Sequence, residues 1–255
     1  ITTGPTGSGK TTTMYAVLRT LNKPGVKIIT LEDPVEIKME GINQSQVDAT
    51  RDYTFAKGLR SILRQDPDIC MVGEIRDLET AEIAIQAALT GHLILSTIHT
   101  NSASGTIPRF LSMGVKPFLL APALNSVIGQ RLVRKICQHC QEEDKLSAEH
   151  MERVVKNLEV LPEVEKKNID LKKLKFYKGK GCEQCSGLGY KGRIGIYEIF
   201  TMNKEIEQAI LSAEVSEYVI QELAVKSGMV TMVQDGILKA LDKITTAEEV
   251  FRVIE

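Results

Sequence analysis

Apolar positions along this chain keep two alternating rhythms. Met14, Val17, Leu18 and Leu21 sit at helical spacing and stop at Pro24-Gly25, which predicts a helix ending near residue 21. The β-branched run Val26-Lys27-Ile28-Ile29-Thr30-Leu31 then reads as a buried parallel strand. Residues 42–48 read as a short strand in a polar excursion. Phe55, Leu59, Ile62 and Leu63 give residues 54–65 one apolar helical face. A buried strand follows at Ile69-Cys70-Met71-Val72-Gly73, a helix at 78–90 capped by Gly91, and a strand at 93–98. This alternation predicts an α/β fold, a mostly parallel sheet between helices.

Beyond residue 100 the rhythm weakens. Residues 102–130 read as helical, with breaks at Pro108, Pro117 and Pro122. Residues 141–181, rich in Lys and Glu, read as a mobile helical insert plus loop. Lys166 to Lys180 holds seven lysines and reads as a solvated face. Residues 187–193 form a turn-rich link, 194–200 a strand, and four short helices close the chain from Asn203 onward.

Composition narrows the class. The 255 residues suffice for one large domain or two smaller ones, and 43% apolar with 25% charged residues is ordinary globular protein. A formal net charge of −1 and 5% aromatics give nucleic acid neither a field nor a stacking platform. With no apolar run of 18 residues and no signal peptide, no transmembrane segment is expected and the cytoplasm is the default location. Only Ile1-Thr2-Thr3 stands where a full buried strand should precede Gly4, so the chain reads as a piece of a longer protein.

The chemistry begins at Gly4-Pro5-Thr6-Gly7-Ser8-Gly9-Lys10-Thr11, which meets every position of the phosphate-binding pattern G-x-x-x-x-G-K-[ST]. Pro5 to Thr12 would cradle phosphates with backbone N–H groups, Lys10 would reach the β- and γ-phosphates, and Thr11 would hold Mg²⁺. Carboxylates cluster after two strands, at Glu32-Asp33-Pro34-Val35-Glu36 and at Glu74. Glu32, Glu36 and Glu74 are all open as the base or the Mg²⁺ partner. Arg60 and Arg64 lie four apart on one helix and could serve a neighbouring subunit's γ-phosphate. His92 and His99 flank the strand 93–98; His99 falls on its nucleotide end and His92 on the other. Cys137-x-x-Cys140 and Cys182-x-x-Cys185 read as a closed, structural Cys₄ zinc site, with disulfides as the rival account. Cys70, the fifth cysteine, reads as core packing.

Five stretches in register carry a resemblance: residues 4–11, residues 32–36, Leu63-Arg64-Gln65-Asp66-Pro67-Asp68, Gly73-Glu74-Ile75-Arg76-Asp77, and Gly91-His92 through Thr97-Ile98-His99-Thr100. Together they resemble the secretion ATPases of type II secretion and type IV pilus machines. The resemblance implies a RecA-like P-loop core at 1–136, a tetracysteine zinc region at 137–200 and a helical subdomain at 201–255. It implies ATP, Mg²⁺ and Zn²⁺ as cofactors, with Glu36 as the water-polarising carboxylate and Glu74 as the Walker B acid. His92 and His99 match the family's histidine box, and Arg60 and Arg64 its ring-interface arginines. The tetracysteine motif points to the assembly and export branches. The family works as hexamers at the inner face of the cytoplasmic membrane, on an inner-membrane platform protein, so membrane contact would be indirect. Two rivals stand beside this reading: a nucleic-acid-stimulated translocase, and a nucleotide-gated docking module without turnover.

Overall fold

The computed structural model describes residues 1–166, 169–171, 173–212 and 215–254. The chain packs into two compact units. The first gathers residues 1–6, 10–128 and 200–224; the second gathers 7–9, 129–199 and the chain from 225 onward.

In the first unit, β1 (Thr2–Thr3) leads to α1 (Lys10–Leu21), β2 (Ile28–Glu32), β3 (Asn43–Gln46), α2 (Phe55–Leu63), β4 (Ile69–Val72), α3 (Leu78–Leu89) and β5 (Leu93–Ile98). Then come α4 (Thr106–Ser112), α5 (Pro117–Ala123) and the start of β6 (Ser126–Ile136). The strand order is β3-β2-β4-β5-β1-β6, and β1–β5, β2–β3, β2–β4 and β4–β5 all pair parallel. Every residue of β2 and β4 is buried, as expected of parallel strands covered on both faces. Met14, Tyr15 and Leu18 of α1 pack on Ile28, Ile42, Ile69 and Met71. Thr54 caps α2 and Asp77 caps α3, each side chain accepting from the amide three residues on.

The consequence for chemistry is directional. Parallel strands all end at one edge of the sheet. The register pairs Thr3 with Ile98, Leu31 with Val72 and Val72 with Ser96. The phosphate loop, the acidic stretch after β2, Glu74 and His99 therefore leave the sheet at the same edge.

The second unit holds most of β6, then β7 (Gln141–Asp144), α6 (Ala148–Glu159), α7 (Glu163–Lys166), β8 (Phe176–Gly179) and most of β9 (Tyr190–Thr201). The chain returns to the first unit through α8 (Lys204–Leu211) and α9 (Glu217–Lys226), then ends in the second with α10 (Met232–Leu241) and α11 (Ala247–Ile254).

Three stretches depart from the sequence reading. Residues 126–130 belong to β6, not to a helix. Pro108 falls in the first turn of α4 and Pro117 is the first residue of α5. Proline is tolerated there because those N–H groups need no partner, so these prolines start helices rather than break them. Tyr190 to Arg193 are strand, not link. Among its described residues, the segment 141–181 holds a strand pair and a share of the core besides helix and loop. β7 and β8 pair antiparallel from Gln141↔Gly179 to Asp144↔Phe176, and Val154, Leu158, Leu161 and Phe176 are buried against Ile237, Ala240, Ala247 and Phe251. Of the lysine run, Lys166, Lys173, Lys175 and Lys178 form ion pairs with acidic neighbours, and Lys167 and Lys172 lie outside the described residues.

A buried charge cluster holds α11 in this unit. Glu249 is 1% exposed. Arg134 donates to it from Nε at 2.9 Å and Nη2 at 2.6 Å, and Arg252 from Nε and Nη2 at 2.8 Å each. Burial alone would raise the Glu249 pKa, but the guanidinium donors outweigh it and bring it from the ordinary 4.5 down to about 2. A depressed folded pKa stabilises above pH 4.5, and that stabilisation is lost as pH falls toward 2. Glu249→Gln is expected to cost about 3–5 kcal/mol in urea unfolding at pH 7. It should also flatten the pH dependence of the midpoint across that window. An unchanged midpoint would show the cluster to be energetically idle.

Candidate functional site

The phosphate loop is shaped by backbone that only glycine adopts freely. Gly7 and Gly9 have φ of +79° and +88°. A Cβ on Gly9 would also come within 3.2 Å of Gln130 Nε2 and 3.4 Å of a Leu132 methyl. Gln130, 1% exposed on β6, donates from Nε2 to the Ser8 carbonyl at 2.7 Å. The loop tip is thus seated on β6 from below. α1 starts at Lys10, so its unpaired first-turn N–H groups face the loop. Lys10 Nζ lies over the loop, donating to the carbonyls of Gly4 at 2.7 Å and Pro5 at 3.0 Å. Burial lowers the Lys10 pKa, and the Glu74 carboxylate opposes that shift. Pro5, Thr6, Gly7 and Thr12 are exposed, Ser8 is buried, and Gly9, Lys10 and Thr11 are half-buried.

Burial separates the three carboxylates that the sequence left equivalent. Glu32 is 3% exposed and taken up internally: it accepts from Tyr15 Oη, Thr30 Oγ1 and Gln44 Nε2. Glu74 is mostly buried, accepting from Arg76 and lying 3.3 Å from His99 Nε2. Glu36 is exposed, and its Oε1 accepts from Thr11 Oγ1 at 3.4 Å. Glu36 is therefore the carboxylate free to meet a solvent molecule beside the loop. Backbone bonds continue past β4, with Gly73 N to Leu31 O at 2.7 Å and Ile75 N to Thr97 O at 2.9 Å, and these set Glu74 at the strand end. Thr3 Oγ1 donates to Ile98 O at 2.9 Å and accepts from Thr100 N at 3.0 Å, tying the His99 segment to the strand that feeds the loop.

The remaining predicted residues lie elsewhere. His92 does not join the cluster. Its Nδ1 sits 3.0 Å from Ala87 O at the end of α3, and the six residues of β5, about 20 Å of extended chain, separate it from His99. Arg60 is exposed and paired to Glu79 at 2.7 Å, and Arg64 is exposed at the end of α2. Both face outward. Sequence reasoning passed over Tyr15, Gln44 and Gln130. The only signal for Tyr15 is its spacing, one helical turn after Thr11.

In the second unit the four cysteines converge. Their sulfurs all lie within 4.8 Å of one another, and Cys137–Cys182, Cys140–Cys185 and Cys182–Cys185 are each 3.8 Å apart. All are free thiols, so the disulfide account is excluded here. Four sulfurs about 2.3 Å from one tetrahedral ion would stand about 3.8 Å apart, so the donor set fits such a metal. Gly181 N donates to Cys140 Sγ at 3.3 Å, and Cys182 N and Gly189 N each donate to Cys185 Sγ at 3.2 Å. Such N–H donors favour the thiolate form a metal requires. Cys70 is buried in β4, where burial pushes its thiol up to about 11. That is the inert packing role expected of it.

The chain resembles known proteins over nearly its whole length. The family model described as "Type II/IV secretion system protein" matches residues 1–252. The "Type IV pilus assembly ATPase PilB" of Thermus thermophilus is 49% identical over 99% of this chain and 27% of its own length. The "Type II secretion system protein E" of Aeromonas hydrophila is 46% identical over 99% of this chain and 48% of its own. A solved structure titled "Crystal Structure of the Pilus Retraction Motor PilT and Bound ADP" matches with TM-score 0.66 at 29% identity, covering 98% of this chain and 59% of that one. The chain spans about half or less of the length of these curated relatives.

Proposed function

Because the chain belongs to the type II/IV secretion system protein family, we propose that it is the ATP-hydrolysing part of a motor for type IV pilus assembly or type II secretion. The observation that carries this reading is the shared edge. A glycine-shaped phosphate loop, a lysine over it, an exposed carboxylate on Thr11 and a mostly buried carboxylate beside Arg76 and His99 all leave one side of one parallel sheet. Lys10 swings from the Gly4 and Pro5 carbonyls to the β- and γ-phosphates. Glu36 holds a water and takes its proton as the oxygen bonds to the γ-phosphorus. The bond to the β–γ bridging oxygen breaks, giving ADP and phosphate. Thr11 and Glu74 are hard oxygen donors suited to Mg²⁺, which when bound neutralises charge on the β- and γ-phosphates. His99, beside Glu74, senses the γ-phosphate.

Arg60 and Arg64 present guanidinium groups outward on α2, which suits a neighbour's nucleotide in a homo-hexamer. Zinc is the ion best matched to four thiolates, and a closed Cys₄ set leaves no open position for catalysis. No helix among the described residues is long and apolar enough to cross a membrane. Its similarity to secretion and pilus-assembly ATPases supports a motor that works at the cytoplasmic face of the membrane through an inner-membrane platform protein.

Lys10→Ala tests the nucleotide assignment. Losing one charge-assisted contact to phosphate should weaken binding of a fluorescent ATP analogue by about 10–100-fold. Affinity equal to the unaltered protein would overturn it.

A further inference from the structure

We infer that Tyr15 is the positioning residue for Glu36, acting through the buried Glu32. This rests on Glu36 being the base of the proposed reaction.

Thr11 and Tyr15 stand one turn apart on α1 and share a face. Thr11 Oγ1 reaches the Glu36 side chain, while the Tyr15 hydroxyl reaches its backbone. A phenol has one donor, and backbone N–H groups can only donate, so the directions are forced. Tyr15 Oη donates to Glu32 Oε2 and accepts from Glu36 N at 3.3 Å and Ile37 N at 3.4 Å. The other Glu32 oxygen accepts from Gln44 Nε2 at 3.1 Å. Gln44 Nε2 also donates to Ile37 O at 3.0 Å, and its Oε1 accepts from Met39 N at 2.7 Å. Residues 36–39 are thus pegged through their own backbone by two side chains, and both side chains are anchored on one buried carboxylate.

Glu36 needs this support. Its carboxylate is exposed, and its contact with Thr11 is long at 3.4 Å. Its position is set by its backbone rather than by partners of its own. The donor is also permanent: burial and then the Glu32 bond push the Tyr15 pKa to about 12, so the hydroxyl stays protonated at working pH. Packing alone does not account for the residue. Phenylalanine would fill the same space among Met14, Leu18, Ile28 and Met71, but would leave Glu32 and two backbone amides without their shared partner.

The experiment is steady-state ATP hydrolysis and fluorescent-nucleotide binding by the full-length protein carrying Tyr15→Phe, Glu36→Gln or both. A base displaced by about 1 Å loses up to 10²-fold in rate. Tyr15→Phe is therefore expected to lower kcat by about 10–100-fold, with KM and nucleotide affinity within about two-fold. Adding it to Glu36→Gln should change the residual single-turnover rate no further. Full turnover in Tyr15→Phe, an affinity loss as large as the rate loss, or additive losses in the double variant would each overturn the inference. If Tyr15→Phe does not fold, Glu32→Gln reads the same network with the same criteria. Full activity in Glu36→Gln would defeat the underlying reading. An inactive Glu36→Gln beside a fully active Tyr15→Phe would defeat only the role of Tyr15.

Discussion

Glu36→Gln should lower ATP turnover by about 10²–10⁴-fold, the usual worth of a positioned general base. Nucleotide binding should survive, because the amide is isosteric and its oxygen can still accept from Thr11, while Lys10 and the loop are untouched. Stability should survive as well, since Glu36 is exposed and its site is held by backbone bonds. Phosphate release and fluorescent-nucleotide titration on the same preparation separate the two effects. Loss of binding in step with turnover would mean Glu36 holds nucleotide rather than activating water. Turnover equal to wild type would remove it from the mechanism and return Glu74 to candidacy.

The second large effect concerns the four thiolates. Structural zinc in small peptides contributes roughly 10–16 kcal/mol at neutral pH. A domain's net stability is only about 5–15 kcal/mol. Such a metal term would be of the same size as everything else combined, so its removal is expected to decide whether this region folds. The geometry says which part fails. β7 begins one residue after Cys140, and β8 ends three before Cys182. Lys180 N donates to Cys140 O and Cys137 N to Gly189 O, both at 2.9 Å, so the first knuckle is also stitched to both flanks of the second. Chelation, or Cys137→Ser with Cys182→Ser, is expected to abolish amide-exchange protection across residues 141–179. Metal analysis of the unaltered protein should find one zinc per chain. Full protection in a metal-free preparation would show that packing of Val154, Leu158 and Phe176 suffices without the ion.

Much of the candidate site is legible in the sequence. The phosphate loop is a local signature, because its physics needs only glycines at set spacing and a following helix. The strands β2, β4 and β5 announced themselves as β-branched runs, and the acids at their ends came with them. The stretch 141–181 reads as solvated for a definite reason. Its four buried apolar residues are thinly spread among Lys and Glu, and the residues that cover them, Ile237 to Phe251, lie some distance down the chain. Local composition says solvated, and only the distant partner makes the segment core.

The sequence by itself determined which chemical groups are present and on which elements: a loop for phosphate, acids at strand ends, two thiol pairs and an α/β sheet to carry them. Tertiary structure decided what like groups do differently. It buried Glu32 as an anchor, set Glu74 beside Arg76 and His99 and left Glu36 exposed. It sent His92 to the far end of β5, drew four sulfurs together, and set Tyr15 between a buried carboxylate and the segment that bears Glu36. The reason is physical. Donor identity and period are properties of neighbours in the chain, whereas burial and distance are set by residues far apart in it.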